Sequence, residues 1–207
     1  MIDLYSSATP NGRKISILLE ELNVSYNPIF VDLSKKDQFK LGFENISPSN
    51  KIPAIVDTEN NIKIFESGAI LIYLAEKYNN FFPKENYWEI LQWLMFQVSQ
   101  VGPYLGQAHQ FLFYNPGKSD FIEQKYTDYT KRIYETLNKQ LQNQQYIVKN
   151  YSIADIAIWP WIARHERHNI KIINYSNVTR WYNLISKRGA VIKGYNAIGE
   201  FDEIPKI

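Results

Sequence analysis

PAIVDTENNIKIFESGAI, residues 53–70, decides the fold. Pro53–Val56 and Ile62–Phe65 are two short apolar runs, and the polar stretch Asp57–Asn61 between them reads as a hairpin turn. Ser67 follows the second run and starts a helix that the spacing carries to Tyr78. Upstream, Ile2–Tyr5 is a third apolar run suited to a buried strand, broken by Pro10-Asn11-Gly12. Ile15, Leu18, Leu19 and Leu22 then recur at helical spacing and predict an amphipathic helix over 12–22. Tyr26–Val31 reads as a further strand, with Ile29 and Val31 on one face. Residues 32–50 are polar and irregular, with one helical turn near Gln38–Phe43. The order is βαβ, an irregular segment, then ββα. One parallel crossover and one hairpin predict a mixed four-stranded α/β sheet with helices on its faces.

Beyond Asn79-Asn80 the texture changes. Phe81–Lys84 reads as a linker, and two helical patterns occupy 87–113 and 119–143, separated by Asn115-Pro116-Gly117. Gly102-Pro103 predicts a kink in the first. Ser152 is placed to cap a helix start, Asp155 three residues on to bond back, and Tyr151 to staple against Ile156. Residues 178–188 predict one more helix. The expected division is therefore 1–80, mixed α/β, and 81–207, all helical.

The 207 residues carry 23 Lys+Arg against 21 Asp+Glu, a net charge of +2 that sets up no strong field for nucleic acid or an anionic membrane. There is no cysteine, which excludes disulfides, thiolate metal sites and a protein-thiol nucleophile. No 7–15-residue apolar run follows a basic start, and no run nears the ~20 apolar residues needed to span a bilayer. These features lead to the expectation of a cytoplasmic protein without metal, nucleic-acid or membrane partners.

Three places could carry chemistry. The turn Ser6–Gly12 puts Thr9 and Asn11 at a helix N-terminus, where free N–H groups favour an anion; the ordinary role of such residues there is capping. Pro53, entering a strand, is ordinarily trans; a cis bond would present the backbone of Ile52 outward. Glu66 and Ser67 put an acid and a hydroxyl at a second helix start, where Ser67 can bind a carboxylate and Glu66 an ammonium, or Ser67 can simply cap. His165 and His168 share a helix face without a third metal ligand.

These three places occur in this order in a βαβ-ββα unit followed by helices. That combination resembles the glutathione transferase family, a thioredoxin-like domain followed by an all-α domain, over nearly the whole chain. Asn50–Ala54 is similar to the segment before the family's cis-proline, Phe65–Ile70 to its γ-glutamyl motif, and Ser152–Ile156 to its capping box. Thr9–Gly12, Ile46–Pro48, Leu91–Trp93, Leu105–Gln107 and Asn150–Trp161 resemble the nu class, which includes bacterial glutathione-dependent disulfide-bond oxidoreductases. The transferase domain of a fungal nitrogen-regulating prion protein is also similar. The resemblance implies glutathione as co-substrate. Glu66 would hold the ammonium and Ser67 the carboxylate of its γ-glutamyl end, Ile52 would pair with the cysteinyl unit, and Lys51 and Gln38 would face the glycyl carboxylate. Thr9 and Asn11 would lie near the sulfur as the catalytic pair. Lys125 falls where relatives place an arginine that reaches glutathione. Aligned on Pro10, the family's thiol-activating serine falls at Ala8, which leaves Ser7 as an alternative activator. The implied reaction is glutathione-dependent disulfide reduction by a homodimer. Its alternatives are transfer to electrophiles, reduction of hydroperoxides, or a binding protein with little catalysis.

Overall fold

Strand β1 (Ile2–Ser6) pairs in parallel with β2 (Tyr26–Phe30) and antiparallel with β3 (Ala54–Asp57), which pairs antiparallel with β4 (Ile62–Phe65). The order across the computed structural model is β2-β1-β3-β4. Residues 1–199 and 201–207 are described. Alternation along β1 turns Ile2 and Leu4 inward, and Ile55 and Ala54 of β3 are equally buried. Helices α1 (Pro10–Glu21) and α2 (Ser67–Lys77) complete the predicted βαβ-ββα order. Helix α1 starts two residues earlier than its apolar spacing predicts. Pro10 has no N–H to waste in the first turn, and Thr9 caps it by accepting from the Gly12 N–H at 3.1 Å. Asp57 ends β3 instead of opening the turn. Its buried carboxylate accepts from Tyr73 Oη, Lys77 Nζ, Asn60 Nδ2 and the Glu59 N–H, tying the hairpin to α2.

Two compact units divide the chain: Met1–Phe82 with Lys187–Ile204, and Pro83–Ser186 with Pro205–Ile207. Residues 187–204 thus pack with the α/β unit, whereas the sequence reading grouped them with the helical part. The cause is a helix that the apolar pattern does not announce, α8 (Gly189–Tyr195), lying directly on α1. A Cβ at Gly194 would come within 2.6 Å of the Ile17 Cα, so only glycine permits this approach. Ser16 Oγ donates to the Gly194 carbonyl at 2.6 Å, and the Arg13 guanidinium lies 3.5 Å from the centre of the Tyr195 ring. Arg188 forks onto Glu21 at 2.6 and 2.7 Å. With α8 on one side and the sheet and α2 on others, α1 is buried all round from Gly12 to Leu19, not along one stripe.

The second unit contains α3 (Tyr87–Phe96), α4 (Gly102–Ala108), α5 (Asp120–Gln140), α6 (Ile153–Ile162) and α7 (Ser176–Ile185). The expected kink at Gly102-Pro103 is absorbed differently. Widened π turns at Gln97–Val101 and His109–Tyr114 carry one helical run from Tyr87 to Tyr114, and Pro103 sits in the first turn of α4, just past the first of them. Helix α6 is buried along its whole length, and its capping box is present. Asp155 also accepts from the Ile147 N–H at 2.9 Å and Trp181 Nε1 at 2.8 Å. Among the described residues no helix is long and apolar enough to cross a membrane.

Candidate functional site

Strand register brings the three candidate turns together. Tyr5 lies opposite Ala54 and Ala54 opposite Phe65, so Ser6, Pro53 and Glu66 leave the sheet side by side at one end. Both α1 and α2 begin at that end, with their free N–H groups and positive dipole ends toward it. An exposed carboxylate, Glu66, is the residue directly before α2. The arrangement suits a ligand that carries carboxylates and an ammonium.

In the β1–α1 turn, Thr9 is the N-cap. Its oxygen is used by the Gly12 N–H, and among the described residues its own proton has no acceptor, so the hydroxyl can cap and still donate outward. Asn11 is the second residue of α1 and half-buried. A Cβ on Gly12 would fall 2.3 Å from both Ser6 Oγ and the Ser7 carbonyl, so the turn closes only over glycine. Ser7 is buried and donates to the Val31 carbonyl at 2.5 Å, which commits its proton to joining the turn to the end of β2. Beside this turn, Phe30, Asp32, Leu33, Gly199, Phe201 and Asp202 help wall a cleft of about 500 Å3.

The Ile52–Pro53 bond is cis. The chain before it is held by Ser47, fully buried, whose hydroxyl donates to the Lys51 carbonyl at 2.7 Å and accepts from the Lys51 N–H at 3.3 Å. Lys51 itself is exposed. Glu66 has φ 68° and ψ 114°, a strained backbone for a residue with a Cβ, held in place by the helix that starts after it. Ser67 is 8% exposed, and its Oγ accepts from Lys14 Nζ at 3.1 Å.

Gln38 lies apart from the three turns, on the 3-10 turn Asp37–Phe39. Its Oε1 is buried, and among the described residues no donor reaches it. Lys125 lies on α5 of the second unit, exposed, with Nζ 6.0 Å from the centre of the Tyr129 ring. Among the described residues no cluster of acids and histidines could hold a metal ion. Sequence reasoning missed Lys14 and Ser47. A lysine at the fifth position after a helix cap reads as a solvated charge, and only the burial of its neighbours on every side marks it otherwise.

Residues 2–76 match the family described as glutathione S-transferase, N-terminal domain, and residues 107–188 its C-terminal domain. The disulfide-bond oxidoreductase YfcG of Escherichia coli K12 is 46% identical over 198 residues, covering 92% of each chain. A glutathione transferase from Pseudomonas putida, solved with one glutathione disulfide bound per subunit, is 37% identical with a TM-score of 0.90, over 96% of this chain and 92% of that one. A second, from Burkholderia graminis with two glutathione molecules bound per subunit, is 35% identical with a TM-score of 0.89, over 95% and 88%. With both domains matched, the chain belongs to the glutathione S-transferase family.

Proposed function

We propose that this protein is a glutathione-dependent disulfide reductase. The observation that carries the reading is the alignment of three turns at one sheet end, below two helix N-termini, in a chain without cysteine. Bound glutathione would supply the thiolate, which displaces one sulfur of a disulfide as a thiolate and takes its place in the S–S bond. Glu66 holds the ammonium of the γ-glutamyl end, and Ser67 with the first N–H groups of α2 holds its carboxylate. Ile52 offers its backbone to the cysteinyl unit. Thr9 and Asn11 donate at the α1 N-terminus, where negative charge on sulfur is favoured. The orphaned Gln38 Oε1 and the exposed Lys51 ammonium are the side chains this reading gives to the glycyl end, and Lys125 stays the further cation that the family resemblance assigns to glutathione. The cleft beside Thr9 takes the remainder of the disulfide. In support stand the disulfide and the pair of glutathiones bound by the two transferases above.

The reading includes a two-fold homodimer, supported by the exposed apolar side chains Phe65 in the first unit and Trp88 in the second, and a cytoplasmic site of action, where glutathione is plentiful. Sedimentation velocity tests the first. The activity is tested by assaying the purified protein with glutathione against hydroxyethyl disulfide, cumene hydroperoxide and chlorodinitrobenzene. The disulfide is expected to turn over fastest. Faster turnover of the hydroperoxide or the chloronitroarene would make it a peroxidase or transferase, and no turnover with retained glutathione binding would make it a binding protein.

A further inference from the structure

Lys14 stands in the middle of α1 with 1% of its surface exposed, and its ammonium donates to Ser67 Oγ at 3.1 Å. A buried ammonium is costly. Burial pulls it down to about 7, while the negative charge of Glu66 works against that fall. An uncharged side chain of the same length would avoid that desolvation cost. The geometry gives the charge another use. A serine hydroxyl has one proton and two lone pairs, and an ammonium can only donate. While Lys14 is protonated, with Nζ on one lone pair, the Ser67 proton cannot point back at it, and an anion bound at Ser67 favours that protonated form. Ser67 is the first residue of α2, so that proton joins free backbone N–H groups at the helix start.

We propose that Lys14 is a positioning residue for the γ-glutamyl carboxylate: through Ser67 Oγ it fixes the serine as a donor to that anion and sets a positive charge beneath it. Lys14 touches no ligand atom itself. The inference rests on the glutathione reading above and adds to it the residue that makes Ser67 a one-way donor. It also accounts for a lysine retained in a helix buried on every side.

The experiment is titration calorimetry on wild type, Lys14→Met, Ser67→Ala and the double variant. The ligands are glutathione and γ-aminobutyryl-cysteinylglycine, which lacks only the γ-glutamyl carboxylate. Lys14→Met is expected to weaken glutathione about tenfold, in line with a lost hydrogen bond to a charged group. It should leave the analogue's affinity unchanged and add little to Ser67→Ala, because the two residues act as one unit. In turnover the loss should fall on KM for glutathione with kcat kept, since the contact is remote from sulfur. If Lys14→Met does not fold, Lys14→Gln is read in the same way. Equal glutathione affinity in wild type and the Lys14 variant overturns the proposal, as does an equal loss for both ligands. A wild type that binds no glutathione overturns the functional reading instead, and the proposal with it.

Discussion

The Nε2 atoms of His109 and His168 lie 2.9 Å apart, and the other ring nitrogen of His168 lies 2.8 Å from the Tyr134 hydroxyl. Two ring nitrogens at that distance share one proton, so one ring donates and the other accepts. Burial pulls His109 down to about 4, helped by the charges of Arg167 and Arg164, and pulls His168 well below its ordinary value. The unfolded chain therefore binds more protons than the fold between about pH 6.5 and 4, and stability falls as pH falls through that window. The loss from His109 alone amounts to at most roughly 3 kcal/mol. Thermal melts at pH 7 and 5 should show this drop, and His109→Phe should flatten it. An unchanged slope in the variant would mean that His109 titrates in the fold as it does in the unfolded chain.

Gly194→Ala should loosen α8 from α1, because the new Cβ meets Ile17 backbone at 2.6 Å and neither helix has a flexible side chain to move there. The expected cost is about 1–3 kcal/mol, typical of overpacking. Chemical denaturation reads it, and hydrogen exchange should speed up along Gly189–Tyr195 first.

Removing the acid from the α6 capping box should destabilise the helical unit. The Asp155 carboxylate takes the Ser152 N–H, the Ile147 N–H and Trp181 Nε1, all buried. Asp155→Ala leaves these donors without a partner, at about 1–3 kcal/mol for an orphaned group. A denaturation midpoint within error of wild type would show that water replaces the carboxylate.

At the sulfur end, Thr9→Ala and Asn11→Ala should each lower disulfide turnover. The effect should be smaller than the roughly 10²–10³ in kcat seen for lost oxyanion donors, because the helix N–H groups remain and sulfur spreads its charge. Ser7→Ala should instead cost stability, since its proton is committed to Val31. If Ser7→Ala is the variant that raises the kinetic pKa of the glutathione thiol, the site works as a serine-type transferase.

Ser67→Ala should weaken glutathione by about 1.5–3 kcal/mol with the fold intact. Unchanged affinity would remove Ser67 from the carboxylate contact.

Most of the sheet was legible from Ile2–Tyr5, Tyr26–Val31 and the hairpin at 53–65, because period-two burial and turn residues are local signals. Helix α8 was not, since Gly189, Gly194 and a single apolar turn carry no periodicity. Its place is set by the contact of Gly194 with Ile17, more than 170 residues away in the chain. The candidate turns were legible one at a time as two ordinary caps and a proline entering a strand. Register alone lines up Ser6, Pro53 and Glu66, and register is a property of paired strands. Lys14 was hidden for the opposite reason: its residue type predicts solvent, and packing from elements distant in sequence overrides that preference.

The contribution of Lys187–Ile204 to the first unit bears on how the protein is made. When Phe82 leaves the ribosome, the sheet, α1 and α2 are all present, yet the face of α1 formed by Arg13, Ser16 and Ile17 has no cover. At about 5–20 residues per second, synthesis of residues 83–186 takes roughly 5–20 s before α8 can dock. The nascent α/β unit therefore waits for Lys187–Ile204, and a translation stop anywhere before Gly189 releases an α/β unit with Ile17 open to water.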